Sequence, residues 1–322
     1  MTDYNIYKVP IFPNINDAPR MPTANLAGNG SDIIQRFNGL IDGLNANIPA
    51  SSLNTDGFEF DLVLWVNRNT GNDNQNEAAF PFGTFKTLDK ALAVAVSVKN
   101  SGRVLRKILL SPGIYSLNSL PGFLPLNNSD AIYIESETGN PNDVTIQSYF
   151  PITLSSPGIY CLKNLRIRGA HFNGICIFLD RARIQIDNVI FGQANNSDAT
   201  RHIEAHNHST VEVLSNYNVE GSVTKNHVFL DSFSFMDISY ASPNEGRAID
   251  VTNFTGSGEA FISLQRSSYL SCWNTSFSGI NEQITGKKFL LTGNSIIDTA
   301  GKDLNFFPGN QQGQRLQNSQ YF

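Results

Sequence analysis

The chain has 322 residues, 40% of them hydrophobic and 16% charged, with a formal net charge of −5. That is enough chain for one large domain with a sizeable core plus an appendage, and too little charge for a surface built from ion pairs, so Asn, Ser, Thr, Gln and Gly must supply the polar exterior. No basic patch stands out, which argues against nucleic acid as a partner.

Residues 1–30 read as irregular. Pro10, Pro13, Pro19 and Pro22 interrupt any regular element. Tyr4, Ile6, Tyr7, Val9, Ile11 and Phe12 are apolar without a helical period, as in an arm that adds a strand to a neighbouring subunit or drapes over it. Ser31–Ile48 reads as a helix capped by Ser31 or Asp32. Ile34, Phe37, Ile41, Leu44 and Ile48 form a heptad seam, which three copies of the chain could share as a trimerisation helix. Gly39 and Gly43 weaken it by about 1 kcal/mol each, so it needs partners. An amphipathic helix packed on its own chain is the alternative. Pro49 ends it, and Ala50–Gly57 reads as a linker. The stretch Gly30-Ser31 through Leu40-Ile41-Asp42 resembles the N-terminal attachment regions of phage tail fibres.

Leu62–Val66 is an apolar run compatible with a strand buried on both faces. An Asn- and Gly-rich loop follows. Thr84–Val98 then has helical spacing through Leu88, Leu92, Ala95 and Val96, with Thr84 as the expected cap. Lys107–Leu110 is the next strand, turned by Ser111-Pro112-Gly113 into Ile114-Tyr115. Strand, polar loop, a TLxxAL helix and IxLxPGxY together resemble the N-terminal entrance of pectin-lyase-like right-handed parallel β-helices, common in phage tailspikes and tail fibres. In that family the helix covers the open end of the first coil. An ordinary βαβ unit is the competing interpretation, but later segments lack further helical patterns.

From Ile108 onward short strands and turns repeat. Ile132–Glu135 and Val144–Gln147 flank a turn at Gly139–Asn142, similar to the family's second coil. Asn164, Asn188, Asn218, Asn274 and Asn294 each open an alternating apolar stretch; Asn164 to Asn188 is 24 residues, Asn188 to Asn218 is 30 and Asn274 to Asn294 is 20. That period marks a solenoid, with Asn side chains stacked from coil to coil. A two-sheet sandwich would need hairpin signals, and Asn173-Gly174 is isolated. The expected architecture is therefore mainly β: a right-handed parallel β-helix over residues 58–301, including the entrance helix at 84–98, behind an attachment region at 1–57. Residues 302–322 leave the coil pattern and read as a C-terminal cap or tail, with Phe306, Phe307, Tyr321 and Phe322.

The densest polar cluster is Arg201 to His208. On a regular strand His202, Glu204, His206 and His208 would share one face. A metal site there would lack any supporting ligand motif, so a solvated or inter-subunit face is expected, with no metal and no cofactor. A glycan-cleaving enzyme would need two carboxylates ~5–10 Å apart. Asp180, Asp187, Glu204 and Asp231 are the catalytic candidates, with Glu212 and Asp237 weighed beside them. Exposed or salt-bridged carboxylates on a strand are the simpler reading, since neither a polygalacturonase pattern nor a lyase's basic set is present. Tyr217, Tyr240, Tyr269 and Trp273, with Tyr149-Phe150, are candidate sugar platforms, with core or inter-subunit packing as the equal alternative for most of them.

Cys161, Cys176 and Cys272 are odd in number and lie in strand-like apolar stretches, so buried free thiols are expected, from folding in a reducing cytoplasm. No basic-plus-apolar leader and no 18-residue apolar run is visible, so membrane insertion is not expected. The resemblance implies a homotrimeric tail fibre or tailspike on a virion or phage-tail-like particle. It would dock to a tail or baseplate protein through residues 1–57 and bind a host surface polysaccharide. An endo-glycosidase or polysaccharide lyase on the same body is the second expectation, and a solenoid domain of a bacterial surface protein the third.

Overall fold

A computed structural model describes residues 62–74, 84–97, 106–117, 119–122, 131–147, 149–155, 158–169, 173–193, 199–239, 246–280 and 283–322. The seam Ile34, Phe37, Ile41, Leu44 and Ile48, and the whole of 1–57, lie outside them. The described chain is a parallel β-solenoid of right-handed type with about seven turns. Every pairing between its named strands is parallel.

Three faces run along it. The first stacks, in order, β2 (Thr84–Phe85), β1 (Leu62–Val66), β3 (Arg106–Leu110), β5 (Ala131–Ser136), β8 (Ile159–Arg168), β10 (Arg183–Gly192), β12 (Thr210–Val213), β15 (Phe235–Asp237), β18 (Tyr269–Ser271), β21 (Ile296–Asp298) and β23 (Gln320–Tyr321). On the second, β4 (Gly113–Tyr115) and β6 (Val144–Ile146) join the far halves of β8 and β10, then β13 (Tyr217–Val219), β16 (Arg247–Asp250) and β19 (Thr275–Ser278). The third stacks β7 (Ile152–Leu154), β9 (Ile175–Asp180), β11 (Ala199–His206), β14 (Gly221–Leu230), β17 (Phe254–Leu264), β20 (Thr285–Leu291) and β22 (Gln314–Arg315).

Alternation in each strand sends one side chain set inward, and in-register pairing turns that set into ladders. Leu64, Ile108, Ile134, Leu162, Ile186 and Val213 pair in succession, all essentially buried. Each such side chain contributes about 1.5–3 kcal/mol on burial. Cys161, Cys176 and Cys272 are buried and free, and burial pushes the Cys161 thiol up to about 12.

The helix is shorter than its pattern predicted. Thr84-Phe85 pairs with Trp65-Val66, which removes those residues from the helical segment. The helix α1 spans Leu88–Ser97 and buries Leu88, Ala91, Leu92, Val94 and Ala95. Its cap is Thr87 rather than Thr84: the Lys90 amide donates to Thr87 Oγ1 at 3.3 Å. Asp73, from the polar loop, accepts the Lys86 and Thr87 amides at 2.8 and 3.1 Å and so pins the helix entrance.

Bends between faces follow two rules. Asn164 and Asn188 hold left-handed φ of 51° at the bends of β8 and β10, and Asn188 Nδ2 donates to Asn164 Oδ1 at 2.8 Å. Asn tolerates that conformation better than most residues. Asn274 takes the same conformation, at φ 52°. Asn218 does not belong to this ladder; it sits inside β13, paired with Ile190 and Asp250.

The second rule is a serine ladder at the corner between the third face and the first. Ser209, Ser234, Ser268 and Ser295 are buried, each donating Oγ–H to the carbonyl three residues back, at 2.5–2.8 Å. Ser209, Ser234 and Ser295 Oγ also accept amides from the preceding coil, from Ala182, Ser209 and Ser268, and Ser319 Oγ accepts the Ser295 amide in the same way. Two left-handed residues precede Ser209, Ser234 and Ser268: Asn207-His208, Ser232-Phe233 and Arg266-Ser267. Asn294 belongs to this corner, not to the Asn bends, since its amide bonds the Gln317 carbonyl of the next turn.

Residues 302–322 continue the solenoid. Gln314–Arg315 pairs with Leu290-Leu291, and Gln320–Tyr321 with Ile296-Ile297. Phe307, fully buried, packs on Phe277 and Phe289 inside the last coils.

Candidate functional site

The predicted polar strand β11 does not present one face. Its pairing with β14 shifts register between Ala199 and Arg201, and His202 turns into the core. Glu204 and His206 remain on the outer side, while His208 sits in the left-handed corner, stacked on Phe233 with ring centroids 5.2 Å apart. A four-group metal face is therefore broken at its first member. Among the described residues no group of three or more His, Cys, Asp or Glu is arranged to hold a metal ion.

On the outer side a cross-coil clip forms. His206 Nε2 is 2.9 Å from Glu204 Oε1, and its Nδ1 is 3.2 Å from Asp231 Oδ2 on the next coil. Arg201 reaches Glu204 at 2.7 Å and lies 4.3 Å from the Phe229 ring centre. Arg266 clasps both oxygens of Asp231. The Glu204 hydrogen bond, then the nearby carboxylate charges, raise the His206 pKa against the opposing effect of burial. Burial pulls Glu204 and Asp231 upward, but the His206 and Arg bonds outweigh it and hold both carboxyls below their ordinary range. Neither is set up as a proton donor near neutral pH, which is what a glycosidase acid requires.

The other two catalytic candidates lie apart from this pair. Asp180 accepts Asn207 Nδ2 at 2.8 Å, one coil from His206 and two coils from Asp231. Asp187 is on the first face, paired with Lys163 at 2.9 Å and accepting the Ser215 hydroxyl at 2.5 Å.

Inside the same coils is a polar chain. His202 Nδ1 lies 2.9 Å from His227 Nδ1, and His227 Nε2 lies 3.0 Å from the Tyr217 hydroxyl. All three are fully buried, between Phe191 and Phe261. Tyr217 was a candidate sugar platform; it is a core residue instead. Its three-residue strand turns Tyr217 and Val219 inward and leaves only Asn218 partly exposed.

The candidate ligand surface lies on the first face. Phe235 and Tyr269 occupy the same register position on adjacent coils, with rings stacked 5.5 Å apart at 16°. Two residues on, Asp237, Ser271 and Asp298 form a second column, preceded by Glu212. The Tyr269 hydroxyl donates to Asp298 Oδ2 at 3.1 Å. Burial first, and then the bond to Asp298, raise the tyrosine pKa. Trp273 is 51% exposed, and its amide donates to Ser239 Oγ at 3.2 Å, which in turn meets Ser271 Oγ. An aromatic pair beside carboxylates and hydroxyls is suited to sugar C–H faces and hydroxyls.

Tyr269 lies on this surface, and the backbone of Trp273 is tied to its edge through Ser239 and Ser271. Tyr240 lies outside the described residues. Phe235 and Asp298 were missed by the sequence reading. The signal was present: Glu212, Asp237, Ser271 and Asp298 each stand three residues after a corner serine. Tyr149 and Phe150, 60% and 48% exposed, form a separate edge-to-face pair near β7. Among the described residues no helix is long and apolar enough to cross a membrane. No family model, curated protein or solved structure matches the chain.

Proposed function

We propose that the chain is a receptor-binding tail fibre or tailspike of a phage or phage-tail-like particle, and that it binds a host surface polysaccharide along its first face. The single observation that carries the binding surface is the stacked Phe235–Tyr269 pair beside the Asp237–Ser271–Asp298 column. Solenoid faces offer repeated, evenly spaced groups, which suits a repeating polymer. The assignment to a tail rests on the sequence resemblance of residues 30–42 and 62–117. In this reading three copies assemble, residues 1–57 dock to the tail or baseplate, and the protein works on the particle outside the cell.

Binding of the full chain to host cells or extracted surface polysaccharide tests it. Tyr269→Ala is expected to weaken binding at least ~10-fold, from loss of one aromatic platform worth on the order of 1 kcal/mol or more. Trp273→Ala should weaken it further. Unchanged affinity in both variants removes this surface from the reading, and a monomer by light scattering removes the trimer.

A depolymerase is the second reading, favoured by one observation. Asp237 and Asp298 share a column two coils apart, about 9.6 Å at the usual strand spacing. That is close to the ~6.5–9.5 Å of inverting glycosidases. Oligosaccharide release that disappears in Asp298→Asn would support it. Binding without release decides for the adhesin.

A further inference from the structure

We propose that the buried His202–His227 pair is an acid-release device: uptake of protons by the two imidazoles opens the middle coils, around β11 and β14, before the ends of the solenoid yield. The geometry carries this. Two imidazoles meet Nδ1 to Nδ1 at 2.9 Å, so one must donate and the other accept. The arrangement holds only while at least one Nδ1 is unprotonated. Tyr217 completes the far end of the chain of bonds at His227 Nε2. His202 Nε2 is buried without a hydrogen-bond partner, so no acceptor is in place for a second proton on that ring.

The surroundings offer no counter-charge. From β10 the pair meets Phe191, from β13 Tyr217 and from β17 Phe261. From β9, the register sets Cys176 opposite His202. Cys272 lies near Tyr217. These titratable neighbours are thiols and a phenol, which burial keeps neutral. Arg201 and Asn226 precede the two histidines, but Arg201 turns outward to Glu204, and Asn226 bonds Arg201 and the Ala260 carbonyl. Desolvation accordingly holds the His202 pKa down to about 3 and that of His227 well below its ordinary value.

A folded pKa depressed below the unfolded value means that the open state binds more protons as pH falls. Stability is present above the unfolded value near 6.5 and is lost as pH drops below it. The outer clip does not share this window. His206, with a raised pKa, is charged in both states below about pH 6. Glu204 and Asp231, with lowered pKa values, lose their contribution only below about pH 4.5. Between pH 5 and 6 the acid response therefore belongs to the core pair.

Hydrogen-exchange mass spectrometry on the full chain, corrected for intrinsic rates, tests the device. The open population of peptides covering 199–206 and 221–230 is expected to rise about sixtyfold between pH 6 and 5, about eightfold for each imidazole. Peptides from β3 and β5 should change little. In the His202→Gln, His227→Gln double variant, whose amides cannot titrate there, this pH dependence should vanish. Equal acid loss in the variant, or uniform loss along the rod, overturns the proposal. If the double variant does not fold, imidazole C2–H exchange in the native chain gives the second readout. Both rings are then expected to resist protonation until the coils open. Titration of His202 or His227 near pH 6.5 with the surrounding amides still protected overturns the proposal equally.

Discussion

Replacing Phe261 by Ala is expected to lower the stability of the solenoid by about 3–5 kcal/mol. Phe261 is 1% exposed and lies where two runs of packed rings meet. Its ring centre is 4.8 Å from His227, 5.4 Å from Phe254 and 5.7 Å from Phe277. From Phe277 the contacts continue to Phe306 and Phe307, and then to Phe289 and Tyr321. Truncation would remove the transfer free energy of the ring and leave a cavity. Collapse into that cavity is limited because each neighbour is anchored on a rung whose spacing its backbone bonds fix. Chemical denaturation should show the full loss. Tyr149→Ala, at a residue 60% exposed, should stay within about 0.5 kcal/mol. A Phe261→Ala loss below about 1 kcal/mol would mean that the coils can move together, and the rigid-rung picture would have to go.

Gly258→Ala is expected to cost about 2–4 kcal/mol, a large figure for a single methyl. A Cβ built at Gly258 falls 2.0 Å from the Thr224 carbonyl oxygen, and that oxygen is backbone with no rotamer to escape by. The close approach lies just past the Val223–Ser257 pair of β14 and β17, on the stretch before the pairing resumes in the same register at Val228–Ile262. The methyl would push apart two coils that the interior needs in contact. Gly301 is the informative comparison. Nothing lies within 4 Å of a Cβ there, and its φ of 81° leaves only conformational strain, about 1–2 kcal/mol for Gly301→Ala. Equal losses for the two variants, measured by thermal unfolding, would contradict the steric account of Gly258.

The solenoid was legible because its signals are local and repeated. Leu62–Val66, the α1 apolar spacing and the Pro112-Gly113 turn each show their period in a short window, and all three appear at those places in the structure. The coil period was legible only in part. Asn164 and Asn188 share a bend because both tolerate left-handed φ, but keying every coil on Asn misplaced Asn218 and Asn294. The better key, a buried serine after two left-handed residues, is hard to see. Asn207-His208, Ser232-Phe233 and Arg266-Ser267 have no residue type in common, because cross-coil bonds rather than intrinsic preference hold their conformation. Site reading failed where the phase of a strand failed. His202 is fully buried although Glu204 and His206, two and four residues on, face outward, so β11 does not keep one alternation, and Tyr217 lies on a strand too short to show any. Tyr269 and Trp273 were found as single residues. The surface that holds Tyr269, with the Trp273 backbone at its edge, depends on register between distant segments, which a single sequence read by eye does not display.

The serine corner separates what must be constant from what is free to vary. Cross-coil bonds of its kind join positions 24 to 27 apart, while the Phe233–Arg266 step that skips over 240–245 still closes backbone to backbone at 3.0 Å. Like the spine of a book, such an edge can hold leaves of unequal width. A corner closed in this way lets successive turns differ in length, so insertions between corners can be accepted while the solenoid keeps its pitch.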